Sequence, residues 1–173
     1  MILTIKPFGA VASAILDRLR AQLGEFGTVD VSPAAPVRRS MEHRNGSISV
    51  QFRASEFERA CEHEPGDRVL AVTDVDLFDD GLDFVFGHAT IHGRFAVISI
   101  ARFGSNDPDK VVERATKTAI HELGHTFGLY HDDANPDCVM HFSERLEHTD
   151  RKGRAFCRKC RPAVEFTLSR LRT

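Results

Sequence analysis

The chain has 173 residues and a formal net charge of -2, with 42% hydrophobic and 28% charged side chains. That length suits one compact domain and that composition a globular one. The near-neutral balance gives no footing for nucleic acid or an anionic membrane surface, and no apolar run approaches the roughly 20 residues that span a bilayer.

The opening Met1-Ile-Leu-Thr-Ile-Lys-Pro lacks the charged segment and long apolar stretch of a secretory signal, so a cytoplasmic location and a monomer are expected. Residues 1–7 read as a short strand ended by Pro7. Val11, Ile15, Leu19 and Leu23 recur every fourth residue, the stripe of an amphipathic helix closing near Gly24 or Gly27. A short strand over 28–31 follows. Residues 32–45, with Pro33, Pro36, Arg38, Arg39 and Arg44, read as a loop.

Alternating Ile48, Val50 and Phe52 mark a strand leading into a helix over 55–64. The β-branched run at 69–75 suits a buried central strand. Two further strands, 84–91 and 95–101, meet at a tight turn through His92-Gly93-Arg94. Asp107 as N-cap and Pro108 in the first turn open a helix whose apolar face runs through Val111 or Val112, Ala115, Ala119, Leu123 and Phe127. Gly128 ends it. The rest is irregular up to Pro162, where Val164, Leu168 and Leu171 mark a terminal helix.

This order predicts an α/β (α+β) fold with a mixed sheet packed on helices. One domain over 1–173 is expected, with an N-terminal subdomain at 1–128 that includes the helix at 107–128. A small irregular C-terminal subdomain occupies 129–173.

The chemistry concentrates in His121-Glu122-Leu123-Gly124-His125-Thr126-Phe127-Gly128-Leu129-Tyr130-His131. Histidines at i and i+4 share one helix face and can grip one ion. Glu122 stands about 100° around the helix from His121, beside the ion without ligating it. Gly128 lets the chain turn so that His131 returns as third ligand. Three neutral nitrogens and an open fourth position are the layout of a catalytic zinc site, with Glu122 as general base for hydrolysis of a peptide substrate. A bare HExxH occurs by chance on solvated helices; the eleven-residue pattern with its glycine is far more specific.

Met140 lies nine residues beyond His131, within Cys138-Val139-Met140. A long histidine motif followed by such a methionine resembles the metzincin signature, and the methionine would floor the metal site. Four cysteines are present: Cys61 alone, and Cys138, Cys157 and Cys160, of which the last two form Cys-x-x-Cys. Cys-x-x-Cys supplies two thiolates to a tetrahedral ion, and Cys138 could add a third.

The histidine motif, Cys-x-Met and the later Cys-x-x-Cys resemble the archaemetzincins over 121–160, with further likeness at 69–86 and 96–102. The resemblance implies a metzincin-like fold, a zinc metallopeptidase activity and two zinc ions. His121, His125 and His131 match the catalytic ligands, Glu122 the base and Met140 the Met-turn. Cys138, Cys157 and Cys160 match three ligands of a structural zinc. Where that family has a fourth cysteine this chain has Asp132, whose carboxylate can ligate zinc; Asp133, His141 and His148 are further candidates. Asp132 or Asp133 could instead reach the catalytic ion.

The basic residues Arg151, Lys152, Arg154, Arg158, Lys159 and Arg161 around the thiols fit either a counter-charge or a solvated face. His88 and His92 read as surface histidines on or near a strand over 84–91 that could line a peptide cleft. Two rival functions are a non-catalytic zinc protein on the same scaffold and a metal-dependent endoribonuclease with similar histidine spacing. Glu122, Met140 and the thiols favour the peptidase.

Overall fold

The computed structural model describes residues 1–171. Its elements are β1 (Ile2–Phe8), α1 (Ser13–Leu23), β2 (Thr28–Val31), β3 (His43–Asn45), β4 (Val50–Arg53), α2 (Ala54–Ala60) and β5 (Arg68–Thr73). They continue with β6 (Asp76–Phe78), β7 (Gly87–Ala89), β8 (Phe95–Ser99), α3 (Pro108–Thr126), α4 (Leu146–Arg151) and α5 (Arg161–Arg170). Five strands form a mixed sheet in the order β2-β1-β5-β8-β7, parallel except for the β7–β8 hairpin. A smaller sheet has the order β3-β4-β6.

Period-2 alternation along the parallel strands builds two cores. Leu3, Ile5, Leu70, Val72, Ala96 and Ile98 face α1, α3 and α5, whereas Val69, Ala71 and Val97 face Phe57 of α2 and Leu77 of the small sheet. The central strand β5 is apolar on both faces because both are covered.

Helix α3 opens as its sequence dictates, with the Asp107 carboxylate accepting a 2.9 Å bond from Asp109 N. It packs on β8 and β7 and carries the motif histidines to the open edge of the sheet. Its buried cations point away from the core to α4. Arg114 forks onto the Asp150 carboxylate with two 2.7 Å bonds, and Lys117 Nζ donates to Asp150 O at 3.0 Å.

Five local expectations need correction. The loop expected over 32–45 ends in β3, which pairs antiparallel with β4. Pro7 lies inside β1: its carbonyl accepts from Ala35 N, so its missing N–H faces the side on which β2 has already ended. On β4 the inward residue is Gln51, bonded to Asp76 and to Asp83 O, while Ile48 and Val50 are exposed. The strand expected over 84–91 is divided, Val85 bridging to Leu77 and only Gly87–Ala89 pairing with β8. The stretch before Pro162 is not wholly irregular, since it contains α4.

Candidate active site and metal centres

Histidines 121 and 125 project from the last turns of α3. Gly128 then adopts φ 95°, a conformation glycine takes without strain, and the chain doubles back to bring His131 against them. The three rings lie with centroids 4.8–5.2 Å apart, and one ligand atom from each falls within 4.8 Å of the others. Side-chain growth at Gly128 is blocked as well, because a Cβ would meet the His92 ring at 2.1 Å.

Backbone carbonyls fix the ring tautomers. His121 Nδ1 donates to Val139 O at 2.7 Å and His125 Nδ1 to Leu129 O at 2.8 Å. Their Nε2 atoms are left without protons and face each other at 3.2 Å. Two facing lone pairs call for a cation between them, and the separation suits ligands about 2.0–2.1 Å from a tetrahedral zinc. Burial also keeps the rings neutral, driving His121 well below its ordinary value and His125 down to about 4, and lowering His131 in the same direction. The donor set therefore fits zinc.

Glu122 is buried beside this cluster, and burial pushes its carboxyl up to about 8, a shift that a nearby cation opposes. Its seat depends on Gly87 of the edge strand, where a Cβ would meet Glu122 Oε1 at 2.6 Å. A cavity of about 270 Å³ opens next to Glu122, between residues 82–87 on one side and Phe142, Ser143, Thr149 and Lys152 on the other. Gly87 and Lys152 were invisible to motif reading. Lys152 belongs to the basic run around the thiols, yet it is 2% exposed and its Nζ lies 3.3 Å from His121 Nδ1. Burial brings it down to about 8.

Met140 is fully buried against α3, and a Cβ at Gly124 would meet its sulfur at 2.4 Å. The glycine inside the histidine motif is thus what lets the methionine turn approach the helix. His92 is exposed, as expected of a surface histidine, whereas His88 is half-buried and partnered. His88 spans Glu58 (2.7 Å) and Asp79 (3.3 Å), which raises its pKa, and His92 packs on Gly128.

A second cluster gathers Asp132, Cys138, Cys157 and Cys160, with one ligand atom of each within 4.8 Å of the rest. Asp132 Oδ2 lies 3.4 Å from Cys157 Sγ, and the Cys138 and Cys160 sulfurs are 3.9 Å apart. All the cysteines are unpaired, and three thiols with a carboxylate are a zinc donor set. The Lys159 ammonium, 3.0 Å from Asp132 Oδ1, lowers that carboxyl's pKa. The other fourth-ligand candidates are elsewhere: Asp133 and His141 face each other at 3.8 Å, His148 lies beyond His141, and neither aspartate joins the histidine cluster. Cys61 is buried in the second core.

A mixed-sheet domain whose active-site helix supplies two histidines and a glutamate, with a third histidine folded back beyond its end, defines a zinc-peptidase type of site. Residues 54–165 match the model of peptidase family M54. An archaemetzincin of Methanopyrus kandleri is 41% identical over 162 residues, covering 91% of this chain and 90% of that protein. The crystal structure of archaemetzincin from Methanopyrus kandleri superposes with a TM-score of 0.85 at 37% identity, over 98% of this chain and 96% of that one. That of archaemetzincin from Archaeoglobus fulgidus, complexed with malonate, gives 0.83 at 34% identity over 94% and 99%. The chain belongs to peptidase family M54, the archaemetzincins, and is a zinc-dependent metallopeptidase acting on peptide or protein substrates. Nothing found favours the endoribonuclease or the non-catalytic alternative. Among the described residues no helix is long and apolar enough to cross a membrane.

Proposed function

We propose that His121, His125 and His131 hold the catalytic zinc and that Glu122 is the general base of peptide-bond hydrolysis. The observation that carries this reading is the convergence of three imidazoles, two of which turn unprotonated Nε2 atoms on each other, beside a buried carboxylate at a cavity mouth. When bound, zinc supplies Lewis acidity, lowering the pKa of water and steadying charge on the scissile carbonyl oxygen. Glu122 Oε takes the proton of the attacking water and delivers it to the leaving amine nitrogen. Val139 O and Leu129 O hold the rings in their ligating tautomers. Gly128 supplies the bend and Met140 the floor. An extended peptide lies along the edge strand β7, adding to the sheet.

A second zinc, giving two per chain, is held by Cys138, Cys157, Cys160 and Asp132 and ties α5 to the segment that follows His131. The protein works as a cytoplasmic monomer without nucleic-acid or membrane partners. Its single domain comprises residues 1–128 with the active-site helix and residues 129–173 with the methionine turn and the thiol site.

Replacing Glu122 by Gln tests the catalytic assignment. Zinc content should stay at the wild-type level while kcat falls by about 10²-fold or more. Undiminished cleavage by zinc-loaded Glu122→Gln protein ends the proposal.

A further inference from the structure

The cavity beside Glu122 is walled by Leu82, Phe84, Phe86 and Phe142, yet its base is polar. Lys152 stands there at the end of α4, buried, with three protons to give. One goes to His141 O at 3.0 Å. The ammonium's other close neighbour, His121 Nδ1, cannot accept, because that nitrogen donates its own proton to Val139 O. Thr149, 1% exposed, borders the same cavity with an Oγ1 that has no protein partner, and so does Ser143 Oγ. A buried cation with a single carbonyl acceptor, flanked by two unpaired hydroxyls, is a costly arrangement that a ligand rich in acceptors would relieve. Glu122 and the exposed rim residue Glu144 also border the cavity, so a carboxylate gains only by passing them to reach Lys152.

Building on the peptidase reading above, we propose that this cavity is a substrate subsite for a carboxylate beside the scissile bond, with Lys152 as its counter-charge. Aspartate or glutamate side chains and a free chain terminus share that chemistry. Thr149 and Ser143 lie where their hydroxyls would add hydrogen bonds to it, and the phenylalanines strengthen the pairing by excluding water.

The test uses the zinc-loaded full chain and matched peptides with Glu, Gln or Leu next to the cleaved bond, each with a free and an amidated C-terminus. The expected result is a kcat/KM for Glu over Gln of about tenfold or more, falling towards unity in Lys152→Met and partly in Thr149→Val. Faster cleavage of free than of amidated peptides, whichever of the three side chains is present, assigns the carboxylate to the chain end, and a Glu preference that survives amidation assigns it to the side chain. Equal or better cleavage of the Gln and Leu peptides, with no gain from a free C-terminus, overturns the subsite. So does an unmoved ratio in Lys152→Met protein of native melting temperature; should that variant not fold, Thr149→Val and the wild-type ratio decide. If no peptide is cleaved, the peptidase reading fails separately, and the Glu-to-Gln ratio in binding to zinc-loaded Glu122→Gln protein still decides the subsite.

Discussion

A methyl group on Gly87 would strike Glu122, one on Gly124 would strike the Met140 sulfur, and one on Gly128 would strike the His92 ring. Only Gly128 among these also needs a left-handed backbone, so it bears two constraints at once. Gly128→Ala should therefore lower zinc occupancy of the histidine site and destabilise the fold by roughly 1–3 kcal/mol, read by metal analysis and chemical denaturation. Full occupancy with an unchanged denaturation midpoint would show that the bend does not depend on glycine. The histidine cluster was legible because its geometry is local, eleven residues whose spacing and glycine dictate the turn. Gly87 and Lys152 were not, because each meets the motif through a distant part of the chain. Lys152 reaches His121 across 31 residues and looks like a surface cation in sequence.

At the scale of elements, α3 was readable at both ends because its signals are short-range: Asp107 with Pro108 at the start, Gly128 at the finish. Asp107→Ala should cost about 1 kcal/mol, a fall of a few degrees in melting temperature, with kcat unchanged because the cap lies far along the helix from Glu122. A fall in kcat at equal zinc loading would contradict that separation. Helix α4 escaped detection because it has no apolar stripe. The Arg114 and Lys117 bonds to Asp150 hold it, and those partners are 33–36 residues away. The inward face of β4 was misread for a related reason, since Gln51 satisfies its amide on Asp76 and Asp83 and takes the place that Val50 seemed to claim.

Over the whole molecule, the fold class followed from the order of strands and helices, with the continuous β-branched run of β5 marking the buried centre, whereas the division into two sheets depends on pairings that no local pattern encodes. The neutral histidines also tie stability to pH. In metal-free Glu122→Gln protein, His121 and His125 stay neutral in the fold but protonate on unfolding below 6.5, with His125 folded at about 4. The unfolded state then binds more protons, so stability is full above pH 6.5 and declines towards pH 4. Restoring Glu122 adds the opposite slope. Its folded carboxyl titrates at about 8 and its unfolded one at 4.5, so the metal-free wild type loses stability relative to the variant as pH rises between those values. Melting curves of both metal-free proteins across pH 4–8 check the two signs, and parallel curves would show that Glu122 does not carry the proton.

The two-zinc proposal puts one ion among the three imidazoles and another among the thiols. Anomalous diffraction from crystals of the zinc-loaded protein, collected on both sides of the zinc absorption edge, tests it directly. One peak is expected within about 2.0–2.1 Å of the Nε2 atoms of His121 and His125 and of a His131 ring nitrogen, and a second bounded by Cys138, Cys157, Cys160 and Asp132. A map with no peak between the three rings would contradict it.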